Sequence, residues 1–214
     1  MQTVAVIDYG VSNLRSVERA LAHVAGAGTA VHLAATPEAL KGADRIVFPG
    51  QGAIGDCMRH MAGRGLDQAL LEAVQEKPFL GLCLGLQSLL DFSEEDGGTR
   101  GFGLFPGKVV RFPADMKDPD SGIRLKVPHM GWNRVWPTQE HPLWQGIEAG
   151  SRFYFVHSYY VVPERQEDVA ATCEYGIRFA CALARENLFA VQFHPEKSQR
   201  DGLRLLANFL AWEP

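Results

Sequence analysis

The first half of the chain alternates short apolar runs with segments of helical periodicity, and this alternation restricts the folds open to it. The apolar runs of strand length are residues 3–7, 29–33, 45–48 and 79–82. Apolar positions recur at helical spacing in residues 14–24, where Ser12 and Asn13 offer N-caps, and again in residues 56–61 and 66–74. Strands that alternate with helices predict a parallel sheet covered by helices on both faces.

The pattern changes after about residue 100, where strand-like runs follow one another without a long helix between them. These runs are residues 108–112, 132–136, 153–156, 169–173, 179–183 and 189–193. Residues 185–187 predict a tight turn that joins the last two runs as a hairpin, residues 200–212 predict a closing helix, and residues 113–122 predict a loop. We therefore expect an α/β fold, a flavodoxin-like three-layer sandwich with a mixed, mainly parallel central sheet and an antiparallel C-terminal portion.

Composition narrows the class of protein. Of the 214 residues, 46% are hydrophobic and 21% are charged, which suits one soluble globular domain over residues 1–214. The net charge of −4, without blocks of like charge, gives no sign of a nucleic acid or membrane partner. The chain has no bilayer-length apolar run and no signal-peptide pattern, so we expect a cytoplasmic protein with four free cysteines. No two cysteines form a C-x-x-C pair, and we expect no metal.

Cys83 stands where a buried strand runs directly into a predicted helix, in the motif G-L-C-L-G-L-Q at residues 81–87. Glycines two positions before and after the cysteine are typical of a nucleophile elbow, in which the strained turn leaves room only for hydrogen side chains. The sulfur would then lie at the carboxyl edge of the sheet, where the N–H groups of the next helix stabilise negative charge. Most free cysteines are simply small buried apolar residues, and this segment alone leaves both interpretations open.

A base for Cys83 is offered by His194-Pro195-Glu196, which follows the apolar run of residues 188–193. Pro195 ends strand pairing, and Glu196 is near enough to fix the imidazole tautomer, leaving the other ring nitrogen for a thiol. Alone, this segment would suit a structural histidine beside a surface glutamate. Joined to an elbow cysteine, it favours a Cys83–His194–Glu196 triad for acyl transfer.

Acyl transfer needs N–H donors for the tetrahedral intermediate. One candidate is the backbone of Leu84, directly after the nucleophile. A second is the turn after the preceding strand, where Gly50 and Gly52 let backbone approach a substrate closely.

The same turn admits a different function, since residues 50–55 have the G-x-G-x-x-G spacing of a dinucleotide-binding loop. The acidic residue expected about 20 positions further on is missing, because Gln75 stands there and the next strand ends in Cys83. No G-x-x-x-x-G-K phosphate loop is present either. We therefore reject nucleotide binding and expect no cofactor.

The motif around Cys83, with the distant H-P-E of residues 194–196, resembles the class I (triad) glutamine amidotransferases. Three further segments narrow the resemblance. They are V-P-H-M-G-W-N at 127–133, Y-F-V-H-S-Y-Y at 154–160 and F-H-P-E-K-S at 193–198. With D-Y-G-V-S-N-L at 8–14, they are similar to the glutaminase subunits of imidazole glycerol phosphate synthases, from the first strand to the last helix.

The resemblance implies that Cys83 hydrolyses glutamine and that Gln87 helps to hold this substrate. It also implies a heterodimer with a cyclase subunit, which uses the ammonia to make imidazole glycerol phosphate and an aminoimidazole carboxamide ribotide in histidine biosynthesis. The resemblance further implies that four residues face this partner: Asn13, Trp132, Tyr154 and Lys197.

Two departures from the family pattern are visible: Gln51 replaces a small apolar residue between the two glycines, and residues 113–124 form a longer segment. The larger side chain at Gln51 puts the second oxyanion donor in doubt. Two alternatives to the synthase subunit stay open. One is a glutaminase that serves another acceptor pathway, and the other is a catalytically silent scaffold.

Overall fold

A computed structural model describes residues 1–10, 14–119 and 121–214 of the chain. Within these residues the strands are β1 (Gln2–Ile7), β2 (Thr29–Ala34), β3 (Arg45–Gly50), β4 (Phe79–Cys83), β5 (Leu90–Ser93), β6 (Thr99–Arg100), β7 (Phe105–Arg111), β8 (His129–Arg134), β9 (Trp136–Pro137), β10 (Arg152–His157), β11 (Tyr159–Pro163), β12 (Val169–Glu174), β13 (Arg178–Arg185) and β14 (Leu188–Val191). The helices are α1 (Arg15–Val24), α2 (Pro37–Lys41), α3 (Ile54–Gly63), α4 (Leu66–Ala73), α5 (Leu84–Gln87) and α6 (Gln199–Ala211).

The central sheet is mixed, as predicted. Strands β2, β1, β3, β4 and β14 lie side by side in parallel. From β14 the sheet continues through β13, β11 and β7 in antiparallel pairs, and then through β5, which is parallel to β7, to β6. Strands β8 and β10 form a separate two-stranded antiparallel sheet.

Two apolar clusters cover the two faces of the sheet and complete the three layers. Buried side chains of α1 and α6 pack on one face together with β10, and those of α2, α3, α4 and α5 pack on the other. Strand β3 shows the alternation, since Val47 belongs to the first cluster and Phe48 to the second. Burial of a side chain of this size stabilises the fold by roughly 1.5–3 kcal/mol.

The central position of β3, β4 and β14 decides where the site lies. Their pairing aligns Gly50 with Cys83 and Leu82 with Val191. Because the three strands are parallel, the segments that follow them leave the sheet at the same edge.

Several predicted elements were placed correctly, and others need correction. The hairpin is confirmed, because β13 and β14 pair across Glu186 and Asn187, with Glu186 at a φ of 52°. The helix expected after Cys83 is only one turn long, since the chain returns at Leu90 to form β5. The run at 132–136 is divided between β8 and β9, and α2 and β11 were not predicted. The expected caps Ser12 and Asn13 fall outside the described residues.

No helix in the described ranges has the length and apolar character needed to cross a membrane.

Candidate active site

Cys83 occupies a strained turn at the end of β4. Its φ of 52° and ψ of −105° are unusual for a residue with a side chain, and its relative exposure is 7%. A Cβ on Gly81 would lie 3.0 Å from the carbonyl oxygen of Gly85, and one on Gly85 would lie 1.9 Å from that of Phe48. Close backbone approach therefore requires glycine at position 85 and leaves little room for a side chain at Gly81, as expected of an elbow.

His194 is held at the same edge, just beyond β14. Its Nδ1 donates to Glu196 Oε1 at 2.8 Å, because the carboxylate can only accept, and the two side chains are 7% and 4% exposed. The backbone N–H of His194 donates to the carbonyl of Tyr154, and Ser198 Oγ donates to the carbonyl of His194. The predicted pairing of His194 with Glu196 thus exists, and both backbone groups of the histidine are anchored.

The second ring nitrogen of His194, Nε2, is buried and makes no hydrogen bond with a described group. Burial alone lowers the pKa of this histidine, but the neighbouring Cys83 and Glu196 outweigh burial and raise the pKa to about 10. The imidazole is therefore a strong base, and its Nε2 is the nitrogen left to exchange a proton with a thiol or a substrate.

The other three cysteines offer no comparable thiol. All are buried and free, and burial raises the pKa of Cys57 and Cys173 to about 12 and that of Cys181 well above its ordinary value. Among the described residues, no group of three or more histidine, cysteine or acidic side chains could hold a metal ion.

The turn after β3 lies beside the elbow, and its glycines have different constraints. A Cβ on Gly50 would meet Leu84 Cβ and Tyr9 Oη, each at 2.9 Å. Gly52 has open space around it but adopts a φ of 92°, which favours glycine. Gly50 and the exposed Gln51 line a cleft together with His194 and Glu196. The structure thus brings this turn and the first residue of α5, Leu84, to the edge where Cys83, His194 and Glu196 lie.

Gln87 is the last residue of α5, the helix that follows Cys83, and its side chain is buried. Its Nε2 donates to the carbonyl of Tyr159 and to Gln192 Oε1, both at 3.1 Å. Gln192 in turn donates from Nε2 to Cys83 Sγ at 3.6 Å. Gln192 was not predicted from the sequence, since a single glutamine in an apolar run has no distinctive pattern, and only the structure shows that it is fully buried.

A buried histidine pair was also missed. Asn133 Nδ2 lies 3.3 Å from His129 Nε2, His129 Nδ1 lies 3.0 Å from His157 Nε2, and His157 Nδ1 lies 2.7 Å from the Tyr159 carbonyl. The carbonyl only accepts, so His157 Nδ1 donates to it and His157 Nε2 is left to accept from His129 Nδ1. His129 Nε2 in turn accepts from Asn133 Nδ2. Burial lowers the pKa of His129 to about 4 and of His157 to about 3, which keeps both rings neutral.

Three of the four residues expected to face a partner lie together. Trp132 and Tyr154 are cross-strand neighbours on β8 and β10, with ring centroids 6.1 Å apart. The Nζ of Lys197 lies 6.0 Å from the Tyr154 ring, and Met130 on the same sheet is 62% exposed. Asn13 falls outside the described residues. We call Met130, Trp132, Tyr154 and Lys197 the aromatic patch.

Comparison with known proteins identifies relatives over the whole chain. The sequence model of the class-I glutamine amidotransferases matches residues 5–212. A protein of Methylococcus capsulatus named imidazole glycerol phosphate synthase subunit HisH is 58% identical over 100% of this chain and 98% of its own length. The proteins of that name from Dechloromonas aromatica and Nitrosomonas europaea are 56% and 50% identical, with coverage of 98–100% on both sides.

Solved structures share the fold at low sequence identity. The chain matches a structure of PurLQS from Thermotoga maritima with a TM-score of 0.73 and 18% identity, covering 98% of both chains. It matches a crystal structure of a glutamine amidotransferase with a TM-score of 0.68 and 18% identity, covering 97% of both chains.

Proposed function

The chain belongs to the class-I glutamine amidotransferase family, and we propose that it is the glutamine-hydrolysing subunit of an imidazole glycerol phosphate synthase in histidine biosynthesis. The name shared by relatives more than half identical over their full length supports the synthase. The observation that carries the chemistry is the buried His194–Glu196 pair, with its free Nε2, at the edge where Cys83 sits on a strained elbow.

The first half of the reaction transfers the acyl group to the enzyme. The proton of the Cys83 thiol passes to His194 Nε2, and the thiolate attacks the side-chain carboxamide carbon of glutamine. The C–S bond forms while the carbonyl becomes an oxyanion. When the C–N bond breaks, His194 returns the proton to the leaving nitrogen, and ammonia departs from a glutamyl thioester on Cys83.

The second half releases glutamate. His194 takes a proton from water, which attacks the thioester carbon, and the C–S bond breaks as the thiolate leaves. Glu196 stabilises the imidazolium in both halves because its carboxylate accepts from Nδ1. The balance is glutamine and water in, and glutamate and ammonia out.

The oxyanion is stabilised by backbone N–H groups of Leu84 and of the turn from Gly50 to Gly52. The positive φ of Gly52 supports this proposal, since glycine can reorient the peptide after Gln51 without a side-chain clash. Gln87 helps to hold the substrate. Its donors are used by Tyr159 and Gln192, so its Oε1 is the atom left to accept from glutamine.

The proposed partner is a cyclase subunit in a cytoplasmic heterodimer, which receives ammonia and forms imidazole glycerol phosphate and the ribotide. The aromatic patch, with Asn13, is the surface proposed to face it. Its exposed Trp132 and Met130 support this, because aromatic and methionine side chains are enriched in protein interfaces.

The two alternatives carry less support. A glutaminase for another acceptor would share the triad. However, the three relatives compared above match this chain over nearly their full length and are all named as subunits of the synthase. A silent scaffold would not need a hydrogen-bonded His194–Glu196 pair or the strained backbone at Cys83.

The experiment compares two nitrogen sources for synthesis by the complex with its cyclase. Cys83→Ala should abolish product formation from glutamine and leave formation from ammonium salts intact, because the cyclase still receives ammonia. Cys173→Ala, at a buried thiol on β12, is the matched control and should keep the glutamine-dependent reaction. Glutamine-dependent synthesis by Cys83→Ala would remove the nucleophile assignment.

A further inference from the structure

Gln192 is a polar side chain inside the protein core, directly beside the nucleophile. It follows β14, two residues before His194, and none of its surface is exposed. Its backbone N–H donates to the carbonyl of Cys181 on β13, so the sheet fixes the main chain at this point. Burying an amide side chain costs free energy unless its donors and acceptors are used, and here one donor is used on Cys83 Sγ at 3.6 Å.

The direction of this contact follows from the neighbouring groups. The carbonyl of Tyr159 can only accept, so the atom of Gln87 that touches it must be the amide nitrogen. The same nitrogen donates to Gln192, which must present its oxygen to Gln87. The nitrogen of Gln192 is therefore the atom that faces Cys83, and the sulfur is the acceptor.

We propose that Gln192 is a further catalytic residue, whose side-chain amide donates a hydrogen bond to the Cys83 thiolate. The inference rests on the proposed function, because it assigns a role in the same reaction. A thiolate accepts this bond more strongly than a thiol or a thioester does. The bond therefore favours loss of the thiol proton to His194 before attack, and it favours departure of the thiolate when water cleaves the thioester.

A neutral donor suits this position. An added cation next to Cys83 would carry its own cost of burial and would compete with His194 for the thiolate. The amide of Gln192 supplies a fixed dipole instead, and Gln87 holds it in place before the reaction begins.

Other groups could also influence ionisation at Cys83. The titratable side chains at the ends of the elements that meet there are His194, Glu196 and Lys197 beyond β14, Tyr154 and His157 on β10, Tyr159 on β11 and Tyr9 after β1. The ends of β3 and β4 and helix α5 bring none besides Cys83 itself. His157 stays neutral because burial lowers its pKa to about 3. A substitution of Gln192 leaves all of these side chains in place, so its effect on the thiolate is separable from theirs.

The test measures the rate of Cys83 alkylation by iodoacetamide against pH, with the modified peptide quantified by mass spectrometry. The three other cysteines are internal controls, since they are buried and their pKa values are raised. Gln192→Leu removes the donor at similar size, and Gln192→Glu places a carboxylate against the sulfur. Gln75→Leu, at an exposed glutamine, is the matched control.

Loss of the donor should move the midpoint of the alkylation profile upward by about one pH unit in Gln192→Leu, which is about tenfold in rate below the midpoint. The upward shift should be larger in Gln192→Glu and absent in Gln75→Leu. A structural role alone would lower the rate by the same factor at every pH. Unchanged midpoints in the folded variants would therefore overturn the proposal, and if Gln192→Leu does not fold, Gln192→Glu decides alone.

Alkylation needs neither glutamine nor a partner, so the two proposals can fail separately. A shifted midpoint in a protein that does not hydrolyse glutamine would refute the proposed function and keep the Gln192 assignment. Normal glutamine hydrolysis with an unshifted midpoint would refute the Gln192 assignment and keep the proposed function.

Discussion

The two ring nitrogens of His194 have different surroundings, and this difference sets the chemistry at the residue scale. Glu196 fixes which nitrogen carries the proton, and Cys83 lies near the nitrogen that remains free. The histidine belongs to the short segment after β14, and the cysteine ends β4, two strands that pair in parallel. The chemistry at this scale therefore depends on a side-chain geometry that two adjacent strands hold in place.

Glu196→Gln tests the electrostatic half of this arrangement. The pKa of His194 is raised from 6.5 to about 10, with Glu196 among the causes, so the variant should lower it. Activity needs the imidazolium as proton donor and falls as pH rises through this pKa. The alkaline limb of kcat/KM should therefore move to lower pH, and kcat should drop by about 10²-fold. Glu76→Gln, at an exposed position, should change neither. An unmoved alkaline limb in Glu196→Gln would contradict the assignment.

The sequence predicted the residues that chemistry makes distinctive. Cys83 between two glycines and His194 beside Glu196 carry patterns with a local physical reason, and the structure brings them to one edge. Gln192 was not predicted, because a single glutamine in an apolar run has no pattern. Its partner Gln87 is 105 residues away in sequence, and only the pairing of β4 with β14 brings the two together.

At the scale of elements, the junction of β4 and α5 is the part that tolerates least change. Gly85→Ala should destabilise the fold by about 1–3 kcal/mol, because its Cβ would lie 1.9 Å from the Phe48 carbonyl and must displace β3 or α5. Gly63→Ala, at the end of α3 with nothing within 4 Å, should be neutral or slightly stabilising. Urea denaturation of the two glycine variants measures both effects. Equal stability of both variants would contradict the close packing of the elbow.

The histidine pair joins β8 to β10 and should make stability sensitive to acid. The folded-state pKa values of His129 and His157 are lowered to about 4 and about 3, below the ordinary 6.5. The unfolded chain therefore binds more protons below pH 6.5, and stability present above that pH falls as pH drops toward 4. The slope should be roughly 1.4 kcal/mol per pH unit for each histidine.

His129→Asn keeps a donor toward His157 and removes one of these protons. Urea titrations between pH 6.5 and 4 give the slope of the unfolding free energy against pH. This slope should decrease by roughly 1.4 kcal/mol per pH unit, the contribution of one bound proton. His23→Asn, on α1 at an exposed position, should leave the slope unchanged. An equal slope in wild type and His129→Asn would show that the pair does not titrate as described.

Long-range pairing explains most of the elements that the sequence did not reveal. Strand β11 has little alternation of its own and is defined by its pairing with β7 and β13. The run at 132–136 has one apolar pattern, yet its two ends pair with different strands, β10 and β12. The short α5 ends early because β5 must return to pair with β7. The strand propensity of a local segment does not indicate which other strands it will pair with.

At the scale of the whole molecule, the aromatic patch and the proposed triad lie on connected segments. Lys197 directly follows Glu196, and the backbone of His194 is bonded to Tyr154, whose ring faces Trp132. A partner seated on this patch would therefore contact the segment that carries His194, the proposed base.

Trp132→Ala should weaken cyclase binding by about 2 kcal/mol, roughly 30-fold in Kd, if the patch is the interface. Trp136→Ala is a matched control, because Trp136 is 42% exposed against 41% for Trp132 but lies on β9, in the central sheet. Isothermal titration calorimetry with the cyclase gives both affinities. Equal losses in the two variants, or none, would place the partner elsewhere.

Trapping the acyl group on the enzyme is the most direct test of the proposed mechanism. The complex is mixed rapidly with isotopically labelled glutamine, quenched in acid within one turnover, digested and analysed by mass spectrometry. If Cys83 is the nucleophile, the peptide that contains it should carry a labelled glutamyl group, which is absent from Cys83→Ala and lost on treatment with hydroxylamine. Label on another residue, or rapid turnover with no labelled peptide at any quench time, would contradict it.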